Sequence, residues 1–142
     1  MRAYPDTSFL VSLYLKDSNT ALAIELAKTL QPILILTPIH ELELNNAIEL
    51  AVFRREIADS QAVAARADFE QDLLHWPISP LPPDAFAKAV TLARRHTARY
   101  GTRSIDILHV ATAVALGAEN FLTFDRRQLR LAKAAGLRVR SH

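Results

Sequence analysis

Apolar and polar positions along this chain follow two different periods. Short apolar runs with β-branched and aromatic content occur at about 2–5, 32–36, 120–124 and 137–140, with a weaker one near Ile78, and they read as strands. Between them the period lengthens to that of helices, as in Ala21-Leu22-Ala23-Ile24-Glu25-Leu26-Ala27 and in the stretch from Asp84 to Ala93. Thr37 followed by Pro38 marks the N-cap and first turn of a helix running through Val52. Gly117 fits a stop after the Ala-rich helix from 105, and Gly136 a stop before the last strand. Strands separated by helices predict an α/β fold with a parallel sheet covered on both faces. Trp76-Pro77-Ile78-Ser79-Pro80-Leu81-Pro82-Pro83 reads as a rigid connection too short to divide the chain. Residues 1–142 therefore read as a single domain.

Composition narrows the classes. Half of the 142 residues are hydrophobic, enough for a full core. Cysteine is absent, which excludes disulfides, thiolate nucleophiles and Cys-ligated metal. The opening Met1-Arg2-Ala3-Tyr4-Pro5-Asp6 lacks a signal-like apolar region, and no apolar run approaches the ~20 residues of a membrane span, so a soluble, cytoplasmic protein is expected. A net charge of +2 is weak evidence for a nucleic-acid partner. Its distribution says more: Arg outnumbers Lys, and Arg suits bidentate phosphate contacts. Arginines cluster at Arg54-Arg55, at Arg94-Arg95 with Arg99 and Arg103, and at Arg126-Arg127-Arg130. Solvated helix faces would account for the first cluster equally well.

Four carboxylates, Asp6, Glu43, Asp106 and Asp125, sit where apolar runs meet their boundaries. In a parallel α/β sheet, active groups collect beyond the carboxyl ends of the strands, and Asp6 and Asp125 stand at such ends. Asp106, His109 and Thr112 are spaced three apart on a helix apolar nearly all round, a polar strip expected to face a cleft. Neither Asp6 nor Asp106 is expected to find a local Lys or Arg, so a divalent cation is the expected partner of the acids. Mg²⁺ or Mn²⁺, held by oxygen ligands, would suit it. Each acid also has a structural reading. Asp6 and Asp125 could cap the helices that follow them, worth about 1 kcal/mol each. Ser104 reads as the N-cap of the helix bearing Asp106. Glu41 and Glu43 both lie in the first turns of one helix, and periodicity does not choose between them.

Asp6-Thr7-Ser8 after the first strand, Glu43-Leu44-Asn45-Asn46-Ala47 in an early helix, the run Ser104-Ile105-Asp106-Ile107-Leu108-His109-Val110-Ala111-Thr112-Ala113, and Thr123-Phe124-Asp125-Arg126-Arg127-Gln128 together resemble the PIN-domain family. Within it the chain looks most like the VapC-type toxins of bacterial toxin–antitoxin pairs. The resemblance spans the chain, and its last two motifs are the specific ones. It implies a three-layer α/β/α sandwich with a central, mainly parallel sheet. It also implies a metal-dependent endoribonuclease, often a homodimer, silenced by an antitoxin whose tail occupies the cleft. Asp6, Glu43 and Asp106 match the family's three core acids, and Asp125 matches a more variable fourth. Asp6, Asp106 and Asp125 would be the metal ligands, while Ser8 and Thr123 match supporting hydroxyl positions. Glu41 matches nothing in that pattern. Arg126 and Arg127, at a helix start beside Asp125, are the candidate RNA-phosphate contacts.

His109 reads as a packed, hydrogen-bonded side chain. His40, His75, His96 and His142 lack metal-ligand spacing, which disfavours zinc hydrolysis. A phospho-accepting receiver domain would carry paired acids after the first strand, where this chain has Asp6-Thr7. A dehalogenase-like phosphatase would carry Asp-x-Asp there. Acyl transfer lacks its Gly-x-Ser-x-Gly elbow. The non-enzymatic rival is a PIN-like module that binds RNA or protein without cleaving. Apolar residues on more than one face of the early helices, around Phe9–Leu15 and Ala47–Phe53, are expected to supply a dimer seam and a partner groove.

Overall fold

The computed structural model describes residues 1–140; His142 lies outside the described residues. The order of elements is β1 (Arg2–Pro5), α1 (Thr7–Tyr14), α2 (Thr20–Leu30), β2 (Ile33–Leu34), α3 (Pro38–Phe53), α4 (Asp59–Asp72), α5 (Ala85–Tyr100), α6 (Ser104–Ala115), β3 (Asn120–Leu122), α7 (Arg126–Ala134) and β4 (Arg138–Arg140). All four strands are parallel, in the order β2-β1-β3-β4, with Ala3 opposite both Leu34 and Asn120 and Phe121 opposite Val139. The weak run at Ile78 contributes a single parallel bridge to Leu36.

The period of two along each strand separates two cores. Ala3, Leu34, Leu36 and Leu122 face one side, where α1 to α4 cover them with Phe9, Leu10, Ala23, Leu44, Ile48 and Phe69. Tyr4, Ile35 and Phe121 face the other, against Ile107, Val110 and Ala113 of α6 and Leu131 and Ala132 of α7. The architecture is a three-layer α/β/α sandwich. Both faces of every inner strand are buried, so the strands read as continuous apolar runs.

The chain leaves β1 toward β2 and later crosses back to place β3 on the other side of β1. The strand order therefore reverses between β1 and β3. Their carboxyl ends diverge there, leaving the crevice in which open α/β sheets bind ligands. Asp6 follows β1 directly, and its N–H still pairs with Leu122 O at 2.9 Å.

Two sequence expectations change. The cap position of α6 is Arg103, in extended backbone, and Ser104 is already helical. Asp106 then falls in the first turn, where its charge complements the helix dipole. The apolar surplus of α1 is absorbed: Phe9 and Leu10 are buried, and Val11, Leu13, Tyr14 and Leu15 pack against the same core. The large apolar side chains left exposed lie elsewhere, notably Leu42, Leu50 and Phe53 on α3 and Phe86 and Val90 on α5.

Candidate acidic site

Asp6 is built into the crevice by donors from both strand ends. Its Oδ1 accepts from Ser8 Oγ at 2.6 Å and from the Phe9 N–H at 2.9 Å, which makes it the N-cap of α1. Its Oδ2 accepts from the Thr123 hydroxyl. Those hydroxyls also hold the chain after β3, because Phe124 N–H donates to Ser8 Oγ at 3.1 Å and Asp125 N–H to Thr123 Oγ1 at 3.0 Å. Asp6 is 3% exposed. Burial pushes its carboxyl up to about 6 against the lowering effect of Ser8, Thr123 and Phe9.

Glu43 stands in the second turn of α3, and its Oε1 takes two donors. Thr7 Oγ1 donates at 2.5 Å, and His109 Nε2 donates to the same oxygen. Burial works to raise this carboxyl, but the bonds from His109 and Thr7 outweigh it and hold Glu43 below the usual carboxylate range. His109 is itself buried, with Nδ1 2.8 Å from the Tyr4 hydroxyl. Glu41, two residues earlier, is exposed.

Below this group lies a second buried histidine. His40 Nδ1 accepts the Thr37 N–H at 2.9 Å, so its Nε2–H donates to Pro5 O at 2.6 Å. His40 thus takes the place of the Glu or Gln of a capping box at the start of α3. It ties that start to the end of β1, one residue before Asp6. Burial, reinforced by His109, lowers its imidazole to about 3, so it stays neutral.

Asp106 and Asp125 face outward into a cavity of about 370 Å³ lined by Gly101, Arg103, Asp106, Phe124, Asp125, Arg126 and Arg127. Asp106 is half-buried; burial raises its carboxyl, as do Asp125 and Glu43, against the attraction of Arg103. Arg103 Nε lies 3.6 Å from Asp106 Oδ2, a local partner the sequence was not expected to supply. This partner is largely exposed, so the pair is screened by water and worth little. Asp125 caps α7 through Oδ1, which accepts from Arg127 N–H at 2.8 Å and Gln128 N–H at 3.0 Å. Arg126 and Arg127 are exposed and form no ion pair among the described residues.

The four acids therefore share one end of the sheet but not one wall of one pocket. Asp106 and Asp125 line the cavity; Asp6 and Glu43 sit behind it. The polar strip of α6 divides similarly. Asp106 reaches the cavity, His109 turns to Glu43, and Thr112 donates back to Leu108 O at 2.6 Å. The physical reason is that buried polar groups take the nearest partners, and Ser8, Thr123, Thr7 and His109 supply them. Among the described residues no group of three or more His, Asp or Glu side chains stands close enough to hold an ion as placed. The donor chemistry nonetheless fits a hard divalent cation: the groups are oxygen-only, and Asp6 and Asp106 both bear raised carboxyls that positive charge would relieve.

Three contributors were not singled out from sequence. Thr7 carries a signal as the middle of Asp6-Thr7-Ser8, and His40 as the third residue after the Thr37 cap. Tyr4 carries none, since its hydroxyl meets a residue 105 positions away.

Together, fold and site define a doubly wound α/β domain with an acidic, arginine-rimmed crevice at its switch point. The chain belongs to the PIN domain family, whose model matches residues 3–134. Solved structures agree on the fold. FitAcB from Neisseria gonorrhoeae superposes with a TM-score of 0.72 at 18% identity, covering 98% of this chain and 96% of that one. VapBC2 from Rickettsia felis, bound to a DNA fragment from its promoter, gives 0.68 at 17% identity over 99% and 98%. Mycobacterium tuberculosis VapC20, a sarcin–ricin loop cleaving toxin, gives 0.69 at 22% identity over 95% of each chain. Comparison with curated protein sequences gives no match.

Proposed function

We propose that this chain is a Mg²⁺- or Mn²⁺-dependent endoribonuclease and the toxin of a toxin–antitoxin pair. The observation that carries the reading is the joining of Asp6 to the Thr123–Asp125 segment across the switch point, with Asp106 and three arginines at the cavity beside it. Asp6, Asp106 and Asp125 would hold the cation. When bound, it would polarise a phosphodiester oxygen and make water a better nucleophile. Glu43, ionised and oriented from behind, would align that water and receive its proton. Arg126 and Arg127 would hold phosphates from the start of α7, whose helix dipole favours anions.

The two exposed apolar patches, on α3 and on α5, support two protein partners, a second copy and an antitoxin. That the VapC20 neighbour is a toxin cleaving the sarcin–ricin loop is consistent with an RNA substrate here. One observation favours the rival reading, RNA binding without cleavage: Asp6 is fully engaged by protein donors and no ligand cluster closes as placed. Purified protein incubated with total RNA in Mg²⁺ or in EDTA, followed by mapping of the new ends, separates the two. Metal-dependent ends support the nuclease, and binding without new ends supports the module.

A further inference from the structure

We infer that Tyr4, Thr7 and His109 form a positioning relay that fixes the Glu43 carboxylate, and that His109 acts on cleavage through Glu43 without touching RNA. The inference rests on the nuclease reading. A glutamate on a helix surface has three rotatable side-chain bonds and no reason to prefer one orientation. Here Oε1 is held by two donors from different elements, Thr7 on α1 and His109 on α6, while Oε2 accepts from no protein group among the described residues. The locked oxygen fixes the plane of the carboxylate and leaves the other oxygen without a protein donor among the described residues.

The relay continues inward to the most rigid part of the molecule. His109 Nδ1 meets the hydroxyl of Tyr4, whose ring stacks on Phe121 with centroids 5.7 Å apart at 7° and meets the His109 ring edge-on at 69°. Tyr4 is fully buried at the centre of the sheet, and burial raises its phenol so far that it keeps its proton. Packing alone does not call for this histidine. Its neighbours on α6, Leu108, Val110 and Ala111, are buried apolar residues, and a leucine at 109 would fill the same space without needing partners. The imidazole instead places a donor against a half-exposed acid. That is the arrangement by which outer partners orient a working carboxylate.

The test is kinetic and spectroscopic. With a short RNA substrate in Mg²⁺, and well below a melting temperature that should fall because the buried Tyr4 hydroxyl loses its partner, His109→Leu is expected to lower single-turnover kcat about ten- to hundredfold with KM little changed. His109→Gln, whose amide can put a donor near the Nε2 position, should recover most of it. Glu43→Gln/His109→Leu should be no slower than Glu43→Gln, because both changes disable one unit. Wild-type kcat in His109→Leu, or additive losses in the double variant, would overturn the relay. A wild-type protein that fails to cleave would sink the nuclease reading instead. The relay is then still decided by ¹⁵N NMR of the imidazoles: a slowly exchanging His109 Nε2–H that shifts in Glu43→Gln is expected, and its absence refutes the relay.

Discussion

Thr123 holds Asp6 from across the sheet. Its hydroxyl donates to Asp6 Oδ2 while accepting the N–H of Asp125, so one side chain fixes the first acid of the chain to the last. The two residues are 117 positions apart, and their meeting follows from the pairing of β1 with β3.

Thr123→Val keeps the shape and removes both bonds. A buried carboxylate loses a donor and a backbone N–H loses its acceptor, so the fold should lose about 2 kcal/mol. Urea denaturation measures this through the midpoint at constant slope. An unchanged midpoint would mean that the hydroxyl bonds add nothing.

Asp6 should make stability depend on pH in the direction opposite to an ordinary paired aspartate. Its carboxyl rises from 3.8 in the open chain to about 6 in the fold. Between these values the folded protein keeps a proton that the unfolded chain has released. Stability is therefore full below about 4 and falls as pH rises through about 6, by on the order of 3 kcal/mol from this group. Denaturation in EDTA across that range should show a drop that Asp6→Asn lacks. Added Mg²⁺ should restore stability at pH 7 more than at pH 5. Parallel profiles for the two proteins would contradict this.

Arg126 and Arg127 should act as phosphate contacts. On an uncleaving Asp106→Asn background, Arg126→Ala/Arg127→Ala is expected to weaken RNA binding across sequences. The slope of log K against log salt should flatten by roughly 1 to 2. Equal affinity and slope would leave both as ordinary surface charge.

Self-association is expected to use α5 and α6 in place of α1. Phe86 and Val90 stand out beside an apolar groove of about 470 Å³ floored by Ala89, Ala93 and Leu108. A protrusion and a recess side by side on one patch suit a two-fold contact between copies. Light scattering at micromolar concentration should show a dimer for the wild type and a monomer for Phe86→Ser/Val90→Ser. A dimer surviving both changes would place the seam elsewhere.

The sheet was legible because strands buried on both faces appear as short apolar runs, and the helix stops because Gly117 and Gly136 adopt positive φ. Asp6 and Asp125 were legible as boundary acids, and each also proved to be a cap. The hidden parts depend on pairing across the fold. Periodicity could not choose Glu43 over Glu41, because what distinguishes them is a donor on α6. The Tyr4 hydroxyl meets His109 and His40 Nε2 meets Pro5 O, long-range partners that no local pattern names. The surplus of α1 misled because one helix can be covered by three others at once.

The central claim is tested most directly by one assay: cleavage of an RNA oligonucleotide by purified wild type and Asp106→Asn, each in Mg²⁺ and in EDTA, with Asp125→Asn alongside. Asp106 lies in a repelling cluster, so its neutralisation should leave the fold as stable or more stable while abolishing cleavage. Asp125→Asn should cost less cleavage, because Asp125 matches the more variable fourth acid of the family pattern, and asparagine keeps the cap of α7. Wild-type cleavage that requires Mg²⁺ and disappears in Asp106→Asn is the predicted result. Cleavage at the wild-type rate in Asp106→Asn, or cleavage undiminished by EDTA, would contradict it.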